Sequence, residues 1–77
     1  MDKIYAMLEE IKPEFDFRGS EDFFEDGFLD SFDLILLVSM LEEEYGIRID
    51  GLDIVPENFS SVDRIIGLVD KSRRADK

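Results

Sequence analysis

The sequence predicts an all-α domain: a small four-helix bundle of three main helices and one short one, with a long loop between helices one and two. Three observations carry this. Apolar residues recur at i, i+3, i+4 and i+7 in three separate stretches. The one stretch that alternates like a strand, Ile47-Arg48-Ile49-Asp50, has no second strand to pair with. The 77 residues, 44% of them hydrophobic, amount to a single domain (residues 1–77) with one modest core.

The first helix carries the stripe Ile4, Met7, Leu8 and Ile11 and ends at Pro13, because the residue before a proline is pushed out of the helical region. Residues 13–30 then hold Phe15, Phe17, Phe23, Phe24, Phe28 and Leu29 among acids. A connection this long is packed or functional, and its phenylalanines predict that it folds back onto the helices. The second helix shows Leu34, Leu37, Val38, Leu41 and Tyr45, with Gly46 in place to close it. A short helical turn is expected around residues 53–58. The last helix carries Val62, Ile65, Ile66 and Val69; Ser60 is its expected N-cap, with Asp63 three residues on as in a capping box. Lys71, Arg73 and Arg74 suit its C-terminus.

Composition removes several function classes. Nine basic and 20 acidic residues give a formal charge of -11, which repels nucleic-acid backbones and anionic membranes. Without Cys there is no disulfide, thiolate zinc site or Cys nucleophile, and without His no imidazole base. No apolar run reaches the roughly 18 residues of a membrane span. The start Met1-Asp2-Lys3-Ile4 lacks the basic and apolar regions of a secretory signal, so a cytoplasmic location is expected. The high charge favours a monomer.

The informative segment is Gly27-Phe28-Leu29-Asp30-Ser31-Phe32-Asp33. With Asp30 as N-cap, Asp33 falls at N3 and Ser31 is the first helical residue, its hydroxyl free to face solvent. The positive partial charge at a helix start favours a phosphate ester there. No base is at hand to make the serine a nucleophilic catalyst. An ordinary helix-start serine is the competing reading of the dipeptide taken alone.

The longer context, Asp30-Ser31-Phe32-Asp33, then Leu37-Val38 and Leu41-Glu42-Glu43-Glu44-Tyr45-Gly46-Ile47, resembles the acyl carrier and peptidyl carrier proteins. In that family an Asp-Ser-Leu-type motif opens the second of four helices, which ends in Leu-Glu-Glu-Glu-Phe or a close variant. The resemblance runs along essentially the whole chain, with Pro56-Glu57-Asn58-Phe59 as the short third helix and Ser60 to Ser72 as the fourth. It implies that Ser31 is esterified by a phosphopantetheinyl transferase. It also implies that the thiol of the covalent 4′-phosphopantetheine carries an acyl or aminoacyl group as a thioester, and that the chain itself is not an enzyme. The partners implied are that transferase, a loading ligase or adenylation enzyme, and a downstream transferase or synthase. Phe32 stands where fatty-acid carriers more often have Leu or Met, and Leu36 where they often have Glu. Both features, and the spacing from Gly46-Ile47 to Ser60, look more like stand-alone D-alanyl carriers.

At about 100° per residue, Ser31, Ile35, Ser39 and Glu42 share one stripe beside the core stripe, and Leu36 points further out. Ile35 and Leu36, ringed by Asp30, Asp33, Glu42 and Glu43, form a candidate partner face; packing against the aromatic loop is the alternative for both. Two other readings compete for the chain as a whole. Residues 22–33 place Asp22, Asp26, Gly27, Asp30 and Asp33 at EF-hand positions, but Phe24 fills a ligand position and the last ligand is the shorter Asp. A plain acidic interaction module is the other. No metal site is expected, and the cargo stays open.

Overall fold

The computed structural model describes residues 2–75 and bears out the helical reading. Helices α1 (Asp2–Ile11), α2 (Ser31–Tyr45) and α3 (Val62–Ala75) are joined by segments holding 3₁₀ turns at Phe17–Gly19, Gly51–Asp53 and Pro56–Phe59. There is no strand among the described residues: Ile47 and Ile49 are buried and Arg48 and Asp50 exposed, as alternation demands, but the segment pairs with no other strand. No helix among the described residues is long and apolar enough to cross a membrane.

The three stripes meet in one core, in which Leu8 of α1, Leu37 and Leu41 of α2 and Ile65 of α3 are fully buried. The long loop does fold back. Phe17 and Phe23 join the core, and burying each ring stabilises the chain by about 1.5–3 kcal/mol. Phe28 stacks on Phe15 at 4.5 Å between ring centroids, and Phe17 meets Phe15, Phe23 and Phe28 edge-on. Such pairs favour one arrangement of the rings over others. Backbone hydrogen bonds then fasten the loop in place. The Phe23 carbonyl accepts from the N–H groups of Phe28 and Leu29, and the Phe23 N–H donates to the Ser60 carbonyl at 2.8 Å. The turn between Phe23 and Phe28 needs a left-handed residue, supplied by Gly27 at φ 76°.

α2 is closed as expected by Gly46, left-handed at φ 63°, whose N–H donates to the Glu42 carbonyl. Three details differ from expectation. The short helical turn expected around residues 53–58 is present as a 3₁₀ turn at Pro56–Phe59, with a separate 3₁₀ turn at Gly51–Asp53 before it. Pro56 keeps Val55 extended (φ -132°, ψ 150°), so helical geometry cannot run through it. The cap of α3 is Ser61, not Ser60. Ser60 has helical dihedrals and its hydroxyl donates to the Glu57 carbonyl, whereas Ser61 Oγ accepts from the Arg64 N–H at 3.3 Å. The buried stripe of α3 also runs through Leu68 and Ser72, leaving Ile66 only half-buried.

Candidate functional site

The start of α2 is built by a reciprocal pair of hydrogen bonds. Asp30 Oδ1 accepts from the Asp33 N–H at 2.9 Å, and Asp33 Oδ2 accepts from the Asp30 N–H at 3.2 Å. This capping box satisfies two backbone donors that a helix start otherwise leaves open. Ser31 is the first residue of the helix, exposed, and its hydroxyl makes no hydrogen bond with the described residues. Asp30 is held below the ordinary carboxylate value, first by the Asp33 N–H bond; partial desolvation opposes this, and the charge of Lys12 adds to the lowering.

Asp33 is where the structure departs from the predicted partner face. It is only 4% exposed, so it does not rim an outward patch. At about 100° per residue it lies about 200° round from Ser31, on the side that meets α1. There the Lys12 ammonium stands 3.6 Å from its Oδ2. Glu42 is half-buried as well, its Oε2 accepting from the Ile49 N–H at 2.9 Å, which pins the segment leaving α2. Ser39 and Glu43 are exposed, and Glu43 also edges an open groove of about 360 Å³ against α1, with Met7, Glu10, Met40 and Glu44.

Ile35 and Leu36 stand clear of the aromatic loop, at 62% and 42% exposure. Phe32 beside Ser31 is more exposed still, at 71%, and Leu52 in the following loop reaches 87%. Phe32 is the surface residue that sequence reasoning missed, although the helical wheel puts it between Ile35 and Leu36 on the outward side. Nothing in the local pattern marks Leu52.

The four aspartates of residues 22–33 are spent singly on the backbone and on one serine. Asp22 Oδ1 accepts from the N–H groups of Phe24 and Glu25, Asp26 accepts from the Ser20 hydroxyl, and Asp30 and Asp33 are in the capping box. No group of three His, Cys, Asp or Glu residues among the described ones is placed to hold a metal ion. The segment entering this stretch holds a three-residue 3₁₀ turn where an EF-hand has a helix.

A family model for the phosphopantetheine attachment site matches residues 3–69. The chain belongs to this family. No curated protein and no solved structure matches it. Members of the phosphopantetheine-attachment family are carriers with a covalent 4′-phosphopantetheine, and the match takes in α1 from its second residue, the aromatic loop, the capping box, the whole of α2 and α3 as far as Val69. The fold fits that group. It offers a primary hydroxyl, exposed and without a hydrogen bond to the described residues, at a helix start whose partial charge favours a phosphate.

Proposed function

We propose that the chain is an acyl or aminoacyl carrier whose prosthetic group is attached to Ser31. The observation that carries this is the exposed Ser31 hydroxyl at the first position of α2, without a hydrogen bond to the described residues, flanked by the capping Asp30 and inside the matched region. In the modification, Ser31 Oγ forms an ester bond to the phosphorus of the pantetheine phosphate. The diphosphate bond of coenzyme A breaks, adenosine 3′,5′-bisphosphate leaves, and the hydroxyl proton passes to the transferase. When bound, the group supplies a terminal thiol that holds cargo as a thioester, a thiol this Cys-free chain does not have itself.

The chain's own residues present the hydroxyl and the docking surface. Phe32, Ile35 and Leu36 form an apolar strip beside Ser31, with Ser39 and Glu43 on the same outward side. An apolar strip so exposed is an association surface. The partners are a phosphopantetheinyl transferase, an adenylating ligase that loads the cargo, and a downstream transferase or synthase, all cytoplasmic. Leu36 and Phe32 favour a ligase that charges a small acyl or amino acid, as in stand-alone D-alanyl carriers, over fatty-acid synthesis.

The test is mass measurement after incubation with coenzyme A and a broad-specificity phosphopantetheinyl transferase. The wild-type chain gains one phosphopantetheinyl group and Ser31→Ala gains none. An unmodified wild type, or a modified Ser31→Ala, overturns the assignment.

A further inference from the structure

We infer that Lys12 is a positioning residue for the modification of Ser31: its ammonium, anchored at the end of α1, holds the capping box that sets the direction of the Ser31 hydroxyl. The inference rests on the reading of Ser31 given above.

Asp33 poses the problem that Lys12 answers. An anionic side chain 4% exposed is costly unless paired. Its Oδ2 meets the Asp30 N–H at 3.2 Å and the Lys12 ammonium at 3.6 Å, and the ammonium supplies the full opposite charge. Lys12 is itself fixed. Its N–H donates to the Leu8 carbonyl at 2.9 Å, so it completes the last turn of α1, and Pro13 stops the helix directly after it. The half-buried side chain then crosses to α2. A chain of contacts therefore runs from α1 through Lys12 and Asp33 to the backbone of Asp30, the residue before Ser31. It bypasses the loop of residues 13–30 altogether.

Without the ammonium, the buried Asp33 carboxylate has no opposite charge beside it and turns toward water. That turn releases the Asp30 N–H and opens one half of the box. The other half, Asp30 Oδ1 on the Asp33 N–H at 2.9 Å, still caps the helix, so α2 persists while the backbone at Ser31 loosens. Coenzyme A binds to the transferase and not to Lys12. The loss therefore falls on kcat, through poorer alignment of the hydroxyl, and spares KM for coenzyme A.

The experiment compares the wild type with Lys12→Met, Lys12→Arg and the double variant Lys12→Met/Asp33→Asn. Initial rates of modification are followed by mass, and amide hydrogen exchange by NMR. Lys12→Met is expected to lower kcat about tenfold with KM for coenzyme A unchanged. Lys12→Arg keeps the charge and restores the rate. The double variant recovers most of the loss, because an amide oxygen at position 33 accepts from the Asp30 N–H with no buried charge to offset. Exchange at the Asp30 amide accelerates in Lys12→Met relative to Leu37 and Leu41. A wild-type kcat in Lys12→Met overturns the inference, as does exchange that rises equally at Leu37 and Leu41. So does a loss that neither rescue variant restores, including the case where Lys12→Met fails to fold. If the wild type takes up no mass, the reading of Ser31 falls, and the exchange comparison alone decides the clamp.

Discussion

Asp30 does two jobs with one carboxylate, capping α2 and standing next to the proposed attachment serine. Its pKa is depressed chiefly because the Asp33 N–H donates to the charged form. A depressed pKa in the folded chain means that ionised Asp30 favours folding at every pH above its ordinary value of 3.8. That contribution is lost as the pH falls below 3.8 and through the folded value. Asp30→Asn keeps a capping oxygen and removes the charge. Urea denaturation is therefore expected to show the wild type more stable than Asp30→Asn at neutral pH, with the gap closing as the pH drops below 3.8. A gap that stays constant into acid means that the charge is not what the cap uses. This much of the site was legible in the sequence, since Asp30 and Asp33 sit three residues apart and their pairing follows from helix geometry alone. The Lys12 contact was not, because it lies 21 positions before Asp33 and only the packing of α1 on α2 joins them.

At the scale of the element, α2 divides its surface three ways. Leu34, Leu37, Val38 and Leu41 face the core; Asp33, Met40 and Glu44 face α1; Phe32, Ile35, Leu36 and Ser39 face outward. Leu36 tests the outward face, since it is exposed and holds no part of the core together. Leu36→Glu is expected to leave stability within about 0.5 kcal/mol, the usual range for an exposed site. It is expected to slow charging by the cognate ligase about tenfold, as a charge introduced into an apolar contact does. Unchanged charging with an intact fold removes Leu36 from the partner face. The helices themselves were legible because each buries a stripe of period 3.6, and the stripe names the face as well as the element. The division of the second connection into two 3₁₀ turns and the Ser61 cap were not. They depend on the dihedrals that Pro56 imposes on Val55 and on the Glu57 carbonyl drawing the Ser60 hydroxyl away, neither of which has a hydrophobic period.

Across the whole molecule, charge is the dominant liability. Between residues 13 and 63 there are 15 acids and only Arg18 and Arg48, while Arg64, Lys71, Arg73 and Arg74 gather on α3. Salt acts on this distribution in two opposed ways. It weakens ion pairs such as Lys3–Glu44 at 3.3 Å and Lys71–Asp53 at 3.0 Å, and it relieves repulsion among the remaining acids. Exposed pairs contribute about 0–1 kcal/mol each, so losing them costs little. Repulsion among so many uncompensated carboxylates acts through all their mutual distances, and a Debye length of about 30 Å at 0.01 M spans the 37 Å long axis nearly end to end. At about 0.15 M the Debye length falls to about 8 Å and most of that repulsion disappears. Relief wins, and the melting temperature is expected to rise between these two salt concentrations. For a domain of this size each 1 kcal/mol gained appears as about 4–8 °C. Calorimetric scans at the two ionic strengths measure it directly. A melting temperature that stays level or falls shows that the acids are already compensated within the fold. Under the proposed function, any steering of a basic partner surface toward Ser31 then falls to a few local carboxylates, such as Asp30 and Glu43, in place of the field of the whole chain.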